Sequence, residues 1–341
     1  MPNSVDLGKP LEKFVTGLVK SGRYNSKSEV LREGVRLIQE RETRLASLDA
    51  AIARGVADAE AGRMKPAPFG YERPRDLQAA LAVLGEAKTS AKIIAGGQSL
   101  GPMLNLRLVE PQLIVDIASL AELKQVERRG DELVLGACVT HADIEDGRIP
   151  DVTRGAMRGV AGNIAYRAVR NRGTVGGSLS HADPAADWVS ALSALGAKLT
   201  LRSLSGVRAV AMEDFIVGAL ESALRDGEIV EAIHVPAMPA SAHWGYAKSC
   251  RKTGEFAHAI GAILIDPSSA TARVVIGAID SAPIVITNAA ELFGGRIAGD
   301  YKDRFDAHVA DVLLAKAGVS NAAHRHIHVN VLKRAVREAA A

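Results

Sequence analysis

The sequence predicts an α+β chain in three parts: a small strand-helix-helix module, a larger α+β domain built as two subdomains, and a C-terminal antiparallel sheet with helices. Three observations carry this. Residues 1 to 63 hold apolar residues at helical spacing with few turn residues between them. From residue 64 short apolar runs alternate with glycine and proline punctuation, and beyond 241 the runs lengthen into strands before helical spacing returns at Val329, Leu332, Ala335 and Val336.

In order, Val5 and Leu7 alternate with Ser4 and Asp6 as in a short strand. Leu11, Phe14, Val15, Leu18 and Val19 then repeat as a helix, with Pro10 near its start and Ser21-Gly22 at its end. Ser26 with Glu29 reads as a capping box for a second helix, whose inner face is Val30, Leu31, Gly34, Val35 and Ile38. Two apolar faces on so short a unit cannot both be buried in one copy, which predicts an intertwined dimer. Leu45, Leu48, Ile52 and Val56 continue the stripe as a helical spacer, and the pattern stops near Met64, which reads as a start of its own.

The second part runs from 64 to 240. Its elements are a helix over 76–85, a strand over 92–95, a buried strand over 113–117, another over 133–137, and a short helix capped by Thr140 with Asp143 in its first turn. A helix over 153–161 leads to the richest stretch of the chain, VRNRGTVGGSLSHADPAADW from Val169. Asp183 then Pro184 predicts an N-cap and first helical position, with Trp188, Val189, Leu192 and Leu195 inward and Asp187 looking back at the glycines. Strands follow over 198–202 and 228–235. The third part, 241 to 341, begins with strands over 243–249, 260–265 and 273–279.

Composition excludes several roles. Lys plus Arg is 42 against 39 acidic residues, a net +3 that gives no general pull towards nucleic acid or anionic lipid. Cys138 and Cys250 are too few for a disulfide framework or an iron–sulfur cluster. No apolar run approaches the roughly 20 residues of a membrane span and no signal segment opens the chain, so a cytoplasmic protein is expected.

Two glycine segments concentrate the chemistry. Ala95-Gly96-Gly97-Gln98-Ser99-Leu100 follows the apolar pair Ile93 and Ile94, and strand, glycine turn, apolar segment is a pattern that can cradle phosphate with backbone N–H groups. Gly173, Gly176 and Gly177 remove Cβ atoms at a second such point. In this order, AGGQSL and TVGGSLSHADPAAD resemble the FAD-binding medium subunit of molybdenum hydroxylases, the carbon monoxide and xanthine dehydrogenase group, from about Met64 to the C-terminus. Residues 1 to 63, through SVDLGKPLEKFV and SGRYNSKSEVLREGVRLIQERE, resemble ribbon-helix-helix antitoxins of the ParD type.

The first resemblance implies FAD, held noncovalently by Lys92, Ile93, Ile94, Ala95, Gly96, Gly97, Gln98 and Ser99 on one side and Thr174, Val175, Gly176, Gly177 and Ser178 on the other. Residues 95 to 99 would hold the diphosphate and 174 to 178 the flavin end. Asp187 would bond a flavin or ribityl group, Asp183 would stiffen its turn, and Ile229 and Lys248 would be further flavin neighbours, with a structural or solvated role open for Lys248. It also implies a molybdopterin-containing large subunit and an iron–sulfur small subunit, with electrons passing from cluster to FAD to an external acceptor. The second implies homodimerisation and at most weak DNA binding, since 11 basic against 9 acidic residues in 1–63 leave only +2 and Asp6 faces phosphate poorly.

Other candidates are weaker. His141 and His181 read as satisfied structural histidines, and His324, His326 and His328 alternate as on a strand without carboxylate or cysteine company for a metal. Arg170 and Arg172 offer charge for the cofactor or for a docking surface. No GxGxxG fingerprint or hydrolytic triad appears, which leaves a DNA-binding antitoxin carrying a flavin domain, or a self-contained flavin oxidase, as the rival classes.

Overall fold

The computed structural model describes residues 7–61, 66–87 and 90–340, and divides into two compact units, 1–65 and 66–341. In the first, α1 (Gly8–Lys20) and α2 (Lys27–Glu60) form a helix pair. Val15 is buried, while Leu11, Phe14, Val35, Leu37 and Ile38 are exposed, so the apolar faces do lack cover within this unit. The expected strand lies largely outside the described residues, and Leu7 has helical torsions as the N-cap of α1. Glu29 N–H donates to Ser26 Oγ, but the Glu29 carboxylate turns to Asn25 N–H rather than to Ser26, so the capping box slips by one residue. Met64 and the side chains of Leu45, Leu48, Ile52 and Val56 lie outside what is described.

The second unit opens with β1 (Gly70–Glu72), α3 (Leu77–Ala87), β2 (Ala91–Ile94), α4 (Leu100–Asn105) and β3 (Leu113–Asp116). The strands form a parallel sheet in the order β1-β3-β2, with the buried Leu77, Ala80, Leu81 and Leu84 of α3 packed in the same core as Val115. Asp76 Oδ1 accepts from Ala79 N–H and so caps α3. β4 (Val126–Arg129) and β5 (Glu132–Gly136) lead into α5 (His141–Glu145), α6 (Ala156–Gly162), α7 (Arg167–Arg170), α8 (Val175–His181) and α9 (Asp187–Ala194). The Thr140 cap is present in full, Thr140 Oγ1 accepting from Asp143 N–H and the Asp143 carboxylate from Thr140 N–H.

β6 (Lys198–Ser203), β7 (Gly206–Ala211), α10 (Met212–Phe215), β8 (Ile216–Gly218), β9 (Glu221–Ser222) and β10 (Ile229–Pro236) complete the second subdomain, whose sheet runs β4-β5-β10-β6-β7, antiparallel throughout. The last part is a meander, β11 (His243–Ser249), β12 (Ala259–Asp266), β13 (Thr271–Gly277) and β14 (Ile284–Ile286), followed by α11 (Tyr301–Arg304), α12 (Ala307–Lys316) and α13 (Ala322–Ala339). Helix α13 contacts β11 and β12, and α9 contacts β12 and β13, so β12 is buried along almost its whole length. That second contact ties residues 241–341 to the preceding part within the compact unit 66–341. It also buries α9 from Trp188 to Ala194, where a single apolar stripe was expected.

Three local readings are corrected. Helix α9 begins at Asp187, not Pro184: Asp183 Oδ1 accepts from Ala185 N–H at 2.8 Å, an Asx turn that holds the chain out of the helix for three more residues. Thr174–Ser178 is not a glycine turn but the start of α8, with Thr174 as its N-cap. His324, His326 and His328 lie on α13, where their spacing spreads them around a helix instead of along a strand.

Candidate cofactor site

The parallel sheet, the antiparallel sheet and the meander converge on a cavity of about 520 Å³, within the usual range for a small-molecule site. All of the expected site residues line it except Val175, which is buried in the core with its N–H donated to Val139 O.

The first glycine segment leaves β2 and enters α4. Gly97 has φ +72°, the left-handed region that favours glycine. A Cβ on Gly96 would stand 2.1 Å from Arg172 O, so here the two glycine segments touch through bare backbone. Among the described residues the N–H groups of Gly97, Gln98 and Ser99 donate to no protein acceptor, while Gln98 Nε2 folds back on Gly96 O. Unspent donors on a rigid turn facing a cavity fit an anionic diphosphate.

The second segment is different. Val175 N–H goes to Val139 O, Gly176 N–H to Ala137 O, Gly177 N–H to Thr174 Oγ1 and Ser178 N–H to Thr174 O. Its amides are therefore spent inside the protein, and its small residues serve close packing: a Cβ on Gly176 would meet Ala137 Cβ at 2.4 Å. This segment supplies a wall and two hydroxyl-bearing side chains, Thr174 and Ser178, rather than a second cradle of N–H groups.

At the far wall Asp187 Oδ1 accepts from Tyr246 Oη at 2.7 Å and from Lys248 Nζ at 2.8 Å, and Lys248 also donates to Asn163 O at 2.8 Å. The carboxylate and ammonium are 10% and 18% exposed, so the lysine is an ion-paired link between β11 and the start of α9, not a solvated side chain. Burial, then the Asp187 charge, raises the Tyr246 phenol well above its ordinary range, so it stays a donor. Asp183 and Ile229 line the same space.

Arg170 is also corrected: its guanidinium grips the Glu145 carboxylate with two bonds of 2.7 and 2.9 Å and donates to Ile164 O and Ala165 O. It is a structural clamp, and among the described residues the Arg172 side chain keeps only a long contact to Gly96 O. The lining also includes residues the sequence did not single out for the site, namely Cys138, Ile164, Ala165, Phe256 and His141. Phe256 is 71% exposed, an aromatic left standing in the β11–β12 loop. Burial pushes the Cys138 thiol up to about 12, which keeps it protonated and unreactive. Aromatic character beside a charged loop was the only sequence signal for Phe256, and a buried thiol carries none.

Fold and cavity together define a cofactor-sized site in which a free-amide turn faces a partly apolar slot. A sequence model described as the FAD binding domain in molybdopterin dehydrogenase matches residues 67–238, and the chain belongs to that family as an FAD-binding medium subunit of the molybdenum hydroxylase type. A second, described as bacterial antitoxin of the ParD toxin-antitoxin type II system and ribbon-helix-helix, matches residues 2–69. The chain is 36% identical over 225 residues to the caffeine dehydrogenase subunit beta of Pseudomonas sp. (strain CBB1), covering 65% of this chain and 76% of that one. It is 34% identical over 208 residues to the carbon monoxide dehydrogenase medium chain of Hydrogenophaga pseudoflava, covering 61% and 72%. Among solved structures, carbon monoxide dehydrogenase from the same organism superposes with a TM-score of 0.72 at 29% identity, covering 81% of this chain and 98% of that one. Quinoline 2-oxidoreductase from Pseudomonas putida 86 gives 0.68 at 30%, covering 82% and 100%.

Proposed function

We propose that this chain is the electron-transfer subunit of a multi-subunit hydroxylase, taking electrons from an iron–sulfur partner and passing them to an external acceptor, with substrate chemistry on a molybdopterin-containing large subunit. The observation that carries it is a cavity with unspent amides at Gly97, Gln98 and Ser99 in a chain with only two cysteines, one buried. Bound FAD supplies the redox chemistry; the protein binds and orients it. Residues 95 to 99 take the diphosphate, Thr174 and Ser178 wall the path towards the ring, and Asp187, fixed by Tyr246 and Lys248, presents an acceptor to a ribityl or ring N–H or O–H group. The relatives named as medium chains and subunits support the same division of labour.

Copurification from the native source tests this reading. A large subunit and a cysteine-rich small subunit are expected with the chain, and the isolated chain is expected to show no turnover on carbon monoxide, aldehydes or heterocycles. Turnover by the chain alone overturns it. For residues 1–65 we infer pairing with a second copy through the exposed Leu11, Phe14, Val35 and Ile38, with at most weak DNA binding. Sedimentation showing a monomer at micromolar concentration, or salt-resistant binding to a specific operator, refutes one or the other half of that inference.

A further inference from the structure

His141 begins α5 and is among the residues that line the cavity, while only 5% of it is exposed. It is held from two sides: its main-chain N–H donates to Gly173 O at 3.0 Å, and its Nδ1 accepts the indole N–H of Trp188 at 3.0 Å. An indole nitrogen is a donor only, so Nδ1 is the bare nitrogen and the ring proton sits on Nε2. Burial, then the charge of Arg170, pushes this histidine down to about 4, which keeps the ring neutral at physiological pH. Among the described residues none accepts the Nε2 proton. A Cβ on Gly173 would stand 2.7 Å from Nε2, and one on Gly96 would stand 2.8 Å from Gly173 Cα. Nε2 therefore lies beside the backbone junction on which the free-amide turn rests.

We propose that His141 is a binding residue, whose Nε2–H donates to an oxygen of the bound FAD. This rests on the flavin reading of the cavity. A donor with no protein acceptor is free to bond a ligand, and FAD offers acceptor oxygens along its diphosphate, ribityl chain and ring. A neutral donor adds no charge to a site whose far wall already holds a balanced ion pair. Trp188 is the positioning residue: it sets the tautomer, and it stands next to Asp187 in the chain, so one helix start orients both walls.

Two substitutions separate the halves of this side chain. His141→Asn puts an acceptor near the place of Nδ1 and removes the donor at Nε2; His141→Gln does the reverse. FAD titration by flavin fluorescence should show about tenfold weaker binding for His141→Asn with little change in melting temperature, since one neutral hydrogen bond is lost. His141→Gln should stay within about threefold of wild type in FAD affinity and lose melting temperature instead. In wild-type protein labelled with 15N-histidine, the His141 Nε2–H resonance should move on adding FAD while its Nδ1 resonance stays. If wild type takes up FAD with that resonance unmoved, or if the affinities of both variants simply follow their melting temperatures, His141 is structural and the inference fails. Wild-type protein that takes up no FAD refutes the flavin reading itself, and this inference with it.

Discussion

Replacing Gly96 by alanine adds a single methyl group at the one point where both glycine segments meet. The new Cβ would stand 2.1 Å from Arg172 O, 2.7 Å from Arg172 C and 2.8 Å from Gly173 Cα. All three are backbone atoms, so no side chain can swing away, and the segments must part by about 0.9 Å to reach even the tightest contact a Cβ tolerates. Overpacking of this kind costs about 1–3 kcal/mol. Part of the movement is taken up by the cavity, because the N–H groups of Gly97, Gln98 and Ser99 ride on the displaced turn. An error near 1 Å in a cradle of charge-assisted hydrogen bonds should weaken FAD binding by roughly 100-fold. Gly101→Ala is the control: it sits in α4, and nothing lies within 4 Å of its added Cβ. It should bind FAD as wild type does and gain slightly from better helix propensity, up to about 1 kcal/mol. FAD titration and urea unfolding of both proteins measure the contrast. A Gly96→Ala protein with wild-type affinity and stability would refute the claim that the turn is built on this contact.

Two further perturbations test buried polar groups, one of them in the site and the other on α13. His141 and His328 are both pushed down to about 4 by burial, from an ordinary 6.5. The unfolded chain therefore binds their protons as pH falls through 6.5 while the folded chain does not until about 4, so stability is lost on acidification, by roughly 2 kcal/mol per histidine at pH 5. His328 Nδ1 is buried without a partner, so His328→Leu should stabilise the protein and flatten the pH dependence of its urea midpoint between pH 7 and 5; an unchanged slope would count against this. Lys248→Met removes the counter-charge of Asp187 and should cost about 2 kcal/mol, of which the double variant with Asp187→Asn should recover part. Additive losses in that cycle would show that the pair is not coupled.

Much of the fold was legible because its signals were local. The β11 strand was read with its bounds, the Thr140 cap with Asp143 in the first turn of its helix, and the first glycine segment as a turn after a strand, though the apolar segment that follows it was not read as the helix α4. Failures came where a local motif had two solutions or where partners were distant in sequence. An Asp-Pro pair can cap a helix or make an Asx turn, and Asp183 made the turn. Thr-Val-Gly-Gly can be a loop or a helix start, and here its amides bond Ala137 and Val139 just beyond the end of β5. Arg170 found Glu145 some 25 residues away and Lys248 found Asp187 across 61, pairings that no spacing rule announces. His141 looked like a satisfied core histidine, and one of its nitrogens is one; its other nitrogen became visible only once Trp188 had fixed the tautomer. The histidines of α13 misled because alternation over five residues fits a strand as well as it fits a helix turn, here one with His324 and His326 exposed and His328 buried.

The most direct test of the flavin assignment is to purify the chain, equilibrate it with FAD, remove the excess and identify what remains bound after denaturation. Equimolar FAD, released intact without a covalent link and lost when Gly96 is replaced by alanine, is the expected result. A protein that retains no flavin after equilibration, or that holds as much FAD with Gly96→Ala as without it, would contradict the account.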